Sequence, residues 1–113
     1  MSLTAIFANL SCSDLEASSR FFGKIFARPE DAAPMKGLRE WHLGNTAGFQ
    51  LHEDGKKAGQ GTLTLLVADV RSEQARLTAA GVRAGEVEEA DYVWISRLTD
   101  PDGNLVVLAQ PKG

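Results

Sequence analysis

The sequence predicts an α+β fold made of two βαβββ modules in a chain of 113 residues. A strand pattern followed by a capped helix occurs twice, with Asp14 and Asp69 at the two predicted helix starts. Apolar strands separated by glycine-bearing turns come after each helix. Each half alone is too short to bury a good core, so we expect the two halves of one chain, or halves from two chains, to pack together.

The first module covers about residues 4–55 and begins with a strand at Thr4–Cys12. Ser13 is the predicted N-cap of a helix that ends near Phe26, and Glu16 completes a capping box. Alternation along the strand divides its side chains between two faces, with Ala8, Leu10 and Cys12 on one and Phe7, Asn9 and Ser11 on the other.

A hairpin completes the first module. Arg28–Gly37 contains two prolines and is predicted to be a loop or an irregular edge segment. Leu38–Leu43 and Gly48–His52 are predicted strands, because a glycine-bearing turn separates two apolar stretches. The polar stretch Glu53–Gln60 is the predicted linker between the modules.

The second module covers about residues 60–111 and repeats this plan. Thr62–Val67 is a predicted strand, and Asp69 is the predicted N-cap of a helix over Val70–Ala80. Thr62 follows Phe7 at the same offset as Asp69 follows Asp14, so the strand and helix repeat in register. Gly81 suits the position just after a helix, where a positive φ is common. Val82–Val87 is a predicted edge strand.

The last hairpin, Tyr92–Gln110, is organised by the sequence DPDGN. If Pro101–Gly103 form a three-residue turn, Arg97 lies opposite Val107 and shares a face with Ile95. A register that differs by one residue would instead place Trp94 and Ser96 on that face. Aligning this hairpin with the first, at an offset slightly larger than that of the two helices, pairs Val107 with Gln50.

Composition narrows the classes of function. The net charge of -3 and the absence of a Lys/Arg run argue against a nucleic-acid partner. No apolar run is long enough to span a membrane, and the N-terminus lacks a signal-peptide pattern. The single cysteine, Cys12, excludes an intrachain disulfide and fits the reducing cytoplasm. We expect Cys12 to be a small buried core residue, because alternation places it on the helix-facing side of its strand. We do not expect a catalytic thiol, since no histidine lies beside it in the motif.

Two motifs, LSCSDLEASSRFF at residues 10–22 and LTDPDGNLVVL at residues 98–108, resemble those of the vicinal oxygen chelate superfamily. This superfamily includes glyoxalase I, bleomycin-resistance proteins and extradiol dioxygenases. The resemblance extends over nearly the whole chain. It implies two modules with curled mixed sheets that form a cleft between them.

The resemblance also bears on metal binding. Metal-dependent members hold a metal at four cleft positions, commonly with His, Glu, His and Glu. Here the matching positions are Phe7, Gln50, Thr62 and Val107. Phenylalanine and valine have no donor atom, while glutamine and threonine are weak neutral donors, so we expect no metal or other cofactor. A substitute site would have to use His42, His52, Glu40 and Glu53.

The predicted function is therefore metal-free binding of a small molecule, in a homodimer that resembles the bleomycin-resistance branch. The predicted cleft residues are Phe7, Asn9, Trp41, Gln50, Thr62, Thr64, Ile95, Arg97 and Val107. Of these, Trp41 could instead close the core. Arg97 could bind an anionic group, or it could reach solvent or an acidic neighbour. One alternative is a metal-dependent lyase, isomerase or dioxygenase with non-standard ligands. The other is a non-catalytic interaction module whose own side chains fill the cleft.

Overall fold

Two separate mixed sheets and two helices form an α+β fold, as the sequence predicts. The computed structural model describes residues 1–113. The strands are β1 (Ile6–Cys12), β2 (Leu38–Leu43), β3 (Ala47–Glu53), β4 (Thr62–Leu66), β5 (Glu88–Glu89), β6 (Val93–Thr99) and β7 (Leu105–Pro111), and the helices are α1 (Leu15–Phe26) and α2 (Val70–Ala79). Neither helix is both long and apolar enough to cross a membrane.

The first sheet has the strand order β1-β3-β2. β1 and β3 are parallel, with Asn9 opposite Gln50, and β2 and β3 are antiparallel, with Glu40 opposite Gln50. An isolated bridge between Ala32 and Glu40 lies at the outer edge of β2. The segment before β2 is therefore irregular, in agreement with the two prolines in its sequence.

The second sheet has the order β4-β7-β6-β5. Its parallel pair places Thr64 opposite Val107, and its antiparallel hairpin places Arg97 opposite Val107. The pair Thr64–Val107 is the counterpart of Asn9–Gln50 under the two offsets that relate the halves of the sequence. The internal repeat is thus present in the strand register as well as in the order of elements.

The turn that sets this register has three residues. The backbone N–H of Asp100 donates to the carbonyl oxygen of Asn104 at 3.0 Å, and Gly103 has a φ of 90°. This φ is unfavourable for residues that carry a Cβ atom, so glycine suits the position. Ser96 is fully buried on the core side, which excludes the alternative register with Trp94 and Ser96 on the other face.

The prediction that Ser13 caps the first helix is wrong. The N-cap is Asp14, whose carboxylate accepts a hydrogen bond from the backbone N–H of Ala17 at 3.1 Å. Asp69 makes the equivalent bond to Ser72, also at 3.1 Å. The backbone N–H and hydroxyl groups of Ser13 instead bond to the carboxylate of Asp102 in the second module.

The predicted edge strand Val82–Val87 is also absent, and only β5 lies at that edge. Gly85 donates one backbone hydrogen bond to Arg97, at 2.8 Å. Its own carbonyl oxygen accepts from the side chains of Ser96, at 2.7 Å, and Gln74, at 2.8 Å. Because side chains satisfy this carbonyl, the segment lies beside β6 without forming a ladder.

One hydrophobic core joins the two halves. Its buried members are Leu10, Cys12, Leu15, Phe22, Ile25, Trp41, Phe49, Leu51, Leu63, Val70, Leu77, Val82, Leu98, Val106 and Leu108. Burying a large apolar side chain contributes about 1.5–3 kcal/mol, so a core shared by both modules favours their association. This core takes one face of each sheet and leaves the opposite face open.

Candidate functional site

The open face of each sheet is the face opposite the core residues. Eight of the nine predicted cleft residues lie on these faces: Phe7, Asn9 and Gln50 in the first sheet, and Thr62, Thr64, Ile95, Arg97 and Val107 in the second. Trp41 does not. It pairs with Phe49 on the core side, is 1% exposed and stacks on Phe26 with ring centroids 5.6 Å apart. The prediction that Trp41 lines the cleft is therefore wrong.

A row of hydrogen-bonded polar side chains crosses the open face of the first sheet. Asn9 Nδ2 donates to Gln50 Oε1 at 3.4 Å, and Gln50 Nε2 donates to Glu40 Oε2 at 2.8 Å. Glu40 Oε1 lies 2.9 Å from His42 Nε2. The hydrogen bonds from His42 and then Gln50 lower the pKa of Glu40, so its carboxylate is ionised at neutral pH.

An aromatic row lies beside this polar row. The ring of Phe7 covers Gly48 and meets the His42 ring edge-on, with centroids 6.0 Å apart and an interplanar angle of 78°. A Cβ atom on Gly48 would come within 2.5 Å of Phe7 Cε1, so the side chain at this position must be absent. Phe7 remains 39% exposed, which leaves its ring available for stacking.

The open face of the second sheet has a different composition at equivalent positions. Thr64, Val107 and Arg97 form one row across three strands. Arg97 corresponds to Glu40 at the offset that pairs Val107 with Gln50, so a guanidinium replaces a carboxylate. The guanidinium forms an ion pair with Glu88, and the two side chains are 49% and 52% exposed. An ion pair this exposed contributes little to stability, so Arg97 can exchange partners.

The four positions that hold metal in relatives do not fit a divalent ion here. Phe7 and Val107 offer no donor atom, and the amide of Gln50 is already bonded to Asn9 and Glu40. Thr62 contributes only a neutral hydroxyl group. The donor set therefore lacks the carboxylate and imidazole groups that such an ion needs.

The substitute set of two histidines and two glutamates is not assembled either. Glu40 and His42 are in contact, whereas Glu53 accepts a hydrogen bond from the backbone N–H of Leu15 at 3.4 Å. The structure contains no group of three or more His, Cys, Asp or Glu side chains arranged to hold a metal ion. His52 lies on β3, opposite Leu38 and Ser11.

The only thiol is a core group. Cys12 is 0% exposed, as its position in the alternating strand predicts. Burial raises the pKa of the thiol from 9.0 to about 11, and a hydrogen bond with Ser18 opposes part of this rise. A buried thiol that stays protonated at neutral pH is not a nucleophile.

The three main cavities lie mostly away from the open faces. Their volumes are about 600, 420 and 200 Å³, and of the nine predicted residues they include only Trp41, Thr64 and Arg97.

Sequence reasoning missed Glu40 as the partner of Gln50. The hairpin register around the glycine-bearing turn could have revealed it, because that register places Glu40 directly opposite Gln50.

Comparison with known proteins places this geometry in a family. The family model for the glyoxalase-like domain matches residues 6–109. The structure aligns with a glyoxalase/bleomycin resistance protein from Catenulispora acidiphila, with a TM-score of 0.86, 24% identity and coverage of 96% of this chain and 98% of that one. An antibiotic-binding protein from a Streptomyces species gives a TM-score of 0.84 at 22% identity, with 99% of each chain covered.

A lactoylglutathione lyase from Agrobacterium tumefaciens has the same fold, with a TM-score of 0.76, 18% identity and coverage of 93% of this chain and 91% of that one. The search of curated proteins found no match. These likenesses confirm the fold and the resemblance found in the two sequence motifs. The chain therefore belongs to the glyoxalase-like domain family, within the vicinal oxygen chelate superfamily.

Proposed function

We propose that this protein binds a small organic molecule on its open sheet faces and does so without a catalytic metal. The observation that carries the proposal is the pair of equivalent rows, Asn9–Gln50–Glu40 in one sheet and Thr64–Val107–Arg97 in the other. Both rows adjoin exposed apolar side chains. Ligand sites typically combine apolar surface with a few oriented polar groups in this way.

The two rows differ in charge, so a charged ligand should bind in one orientation. Glu40 is an ionised carboxylate oriented by His42 and Gln50. Arg97 is a half-exposed guanidinium whose present partner, Glu88, is equally exposed. We expect an aromatic ligand that stacks on Phe7 and places an anionic group at Arg97. The antibiotic-binding protein from Streptomyces, which has the same fold, supports the binding of a small molecule.

We also propose that the protein is a homodimer in the cytoplasm and that the second copy helps to enclose the ligand. Exposed apolar side chains support the proposal: Ile6 and Leu43 are each 75% exposed, and both flank Ala47 on adjacent strands. A dimer would cover such a patch. Light scattering should give twice the chain mass for the native protein and one chain mass for Leu43→Glu. Tyr92→Glu, at a residue that is 84% exposed elsewhere, should remain a dimer.

A thermal-shift screen with aromatic acids, aromatic amines and neutral aromatic compounds tests ligand binding. A compound that binds only the native state raises the melting temperature. The shift should fall in Arg97→Ala and Gln50→Ala, and it should persist in Lys57→Ala, an exposed lysine outside the open faces. If no compound shifts the native protein, the interaction-module alternative becomes the better account. Tight stoichiometric binding of Zn, Mn, Ni or Fe would contradict the metal-free proposal.

A further inference from the structure

The largest of the three main cavities is a groove on the helical side of the molecule, separate from the polar row of the first sheet. Its volume is about 600 Å³, and it lies between α1, residues 81–85 and the hairpin of β6 and β7. A groove of this size falls in the range of about 300–1,000 Å³ that is usual for small-molecule sites. Neither the pairing of the strands nor the family match accounts for the side chains that line this groove.

The groove is lined by cations that have no partner in the protein. Arg20, Lys24 and Arg83 are exposed, and none of the three forms an ion pair. Arg97 also lines the groove, but its guanidinium is paired with Glu88. The chain as a whole has a net charge of -3, so this local excess of positive charge is not a result of composition.

The one carboxylate in the lining already accepts hydrogen bonds from other groups of the protein. Asp100 is 5% exposed, and its oxygens accept from the backbone N–H groups of Asp102 and Asn104 and from the Asn104 side chain, at 2.9, 2.9 and 2.7 Å. Because these hydrogen bonds hold its oxygens within the turn, Asp100 forms no ion pair with the three cations. The mouth of the groove is therefore suited to a negatively charged group.

The floor of the groove is apolar and held in place. Phe21 packs edge-on against Phe22, with ring centroids 5.1 Å apart. Val82 and Leu98 belong to the buried core, and Leu105 lies at the start of β7. Because these side chains already pack against the core, binding an apolar group on them should require little further loss of side-chain entropy.

From these features we propose that the groove binds a small amphipathic anion. Its carboxylate or phosphate group lies near Arg20, Lys24 and Arg83, and its hydrocarbon part lies on Phe21 and Leu98. Arg97 is the only predicted cleft residue that also lines the groove, and the anion is placed at the three other cations, so this proposal does not rest on the proposed function.

Titration of the isotopically labelled protein by ¹H–¹⁵N NMR tests the proposal, with octanoate and octyl phosphate as probes. Amide signals of residues 17–24 and 81–85 should shift, and those of Asn9, Gln50 and Val107 should not. Acetate lacks the apolar part and octylammonium reverses the charge, so both should bind much more weakly. Added salt should weaken binding of the two anions because it screens their attraction to the cations.

Charge-reversal variants inside the groove test the position of the anion, and the same change outside the groove is their matched control. Arg83→Glu and Arg20→Glu should each raise the Kd for octanoate by about tenfold or more, because each replaces an attraction with a repulsion. Lys57→Glu makes the same change in net charge outside the groove and should leave the Kd unchanged. The proposal is overturned if neither anion binds, if octylammonium binds as tightly, if shifts are confined to the open faces, or if Lys57→Glu weakens binding equally.

Discussion

The side-chain amide of Asn104 donates a hydrogen bond to the backbone carbonyl of Ser11 at 2.9 Å, and so connects the last turn to the first strand. The same amide group donates to Asp100 Oδ2 at 2.7 Å, and Asn104 Oδ1 accepts from the backbone N–H of Gly61 at 2.9 Å. Asn104 is 0% exposed. The turn sequence DPDGN therefore joins the two modules in addition to setting the register of the last hairpin.

Replacing Asn104 with alanine should lower the free energy of unfolding by about 2–4 kcal/mol, because the Ser11 carbonyl and the Gly61 N–H would lose their partners in a buried site. Urea unfolding measures this change. Asn9→Ala is the matched control, since its bond to Gln50 is exposed and 3.4 Å long. The control should change stability by no more than about 0.5 kcal/mol. Equal losses of unfolding free energy in the two variants would show that the hydrogen bonds of Asn104 stabilise the fold no more than the exposed bond of Asn9.

Asp14 and Ser13 should respond differently to substitution, although they are neighbours. Asp14→Ala removes the N-cap of α1 and should cost about 1 kcal/mol, as should Asp69→Ala at α2. Ser13→Ala should instead show coupling to Asp102→Ala in a double-mutant cycle, because the Ser13 hydroxyl donates to the Asp102 carboxylate. Coupling between Asp14 and Asp102 of the same size would contradict this assignment. Urea unfolding of the single and double variants gives all of these values.

Local patterns in the sequence predicted much of the fold. The repeat offsets relate equivalent strands, and of the two registers that the turn at Pro101–Gly103 left open, the one that places Arg97 opposite Val107 is observed. The turn depends on residues close together in the chain, where spacing determines geometry, and the offsets depend on a local pattern that occurs twice. The capping box at Ser13 was misleading because a distant carboxylate, Asp102, takes its hydroxyl. Such a long-range contact leaves no signal in local spacing.

The candidate site could be predicted only in part, for a related reason. Alternation separates the two faces of a strand but does not say which face meets the core. Trp41 was assigned to the wrong face, since its aromatic neighbours Phe26 and Phe49 lie on other elements. The cationic groove was missed because Arg20 and Arg83 belong to different halves of the sequence and come together only when α1 packs near the last hairpin.

The two histidines should differ in their effect on Glu40. His42→Ala removes the hydrogen bond that contributes most to the low pKa of Glu40, so this pKa should rise towards its ordinary value of 4.5. The His52→Ala control leaves the contacts of Glu40 intact and should not change it. Titration of the Glu40 carboxyl carbon by ¹³C NMR measures both. A rise of equal size in the two variants would mean that the overall charge of the protein, and not the hydrogen bond with His42, lowers the pKa of Glu40.

Cys12 should make the protein less stable as the pH rises above 9. The unfolded thiol ionises near 9.0, whereas burial raises the folded pKa to about 11. Between these values the folded state binds more protons than the unfolded state. Stability therefore falls with rising pH, by at most about 1.4 kcal/mol per pH unit.

Cys12→Ala isolates this effect, because every other titratable group is present in both proteins. At pH 8 the variant should be less stable by about 1 kcal/mol, because it leaves a small cavity in the core. Between pH 9 and 11 the difference should shrink and then change sign, since only the native protein loses the contribution of the neutral thiol, and this loss over two pH units exceeds about 1 kcal/mol. Urea unfolding at one-unit pH steps under reducing conditions measures it. Stability curves that stay parallel over this range would show that the thiol titrates equally in both states.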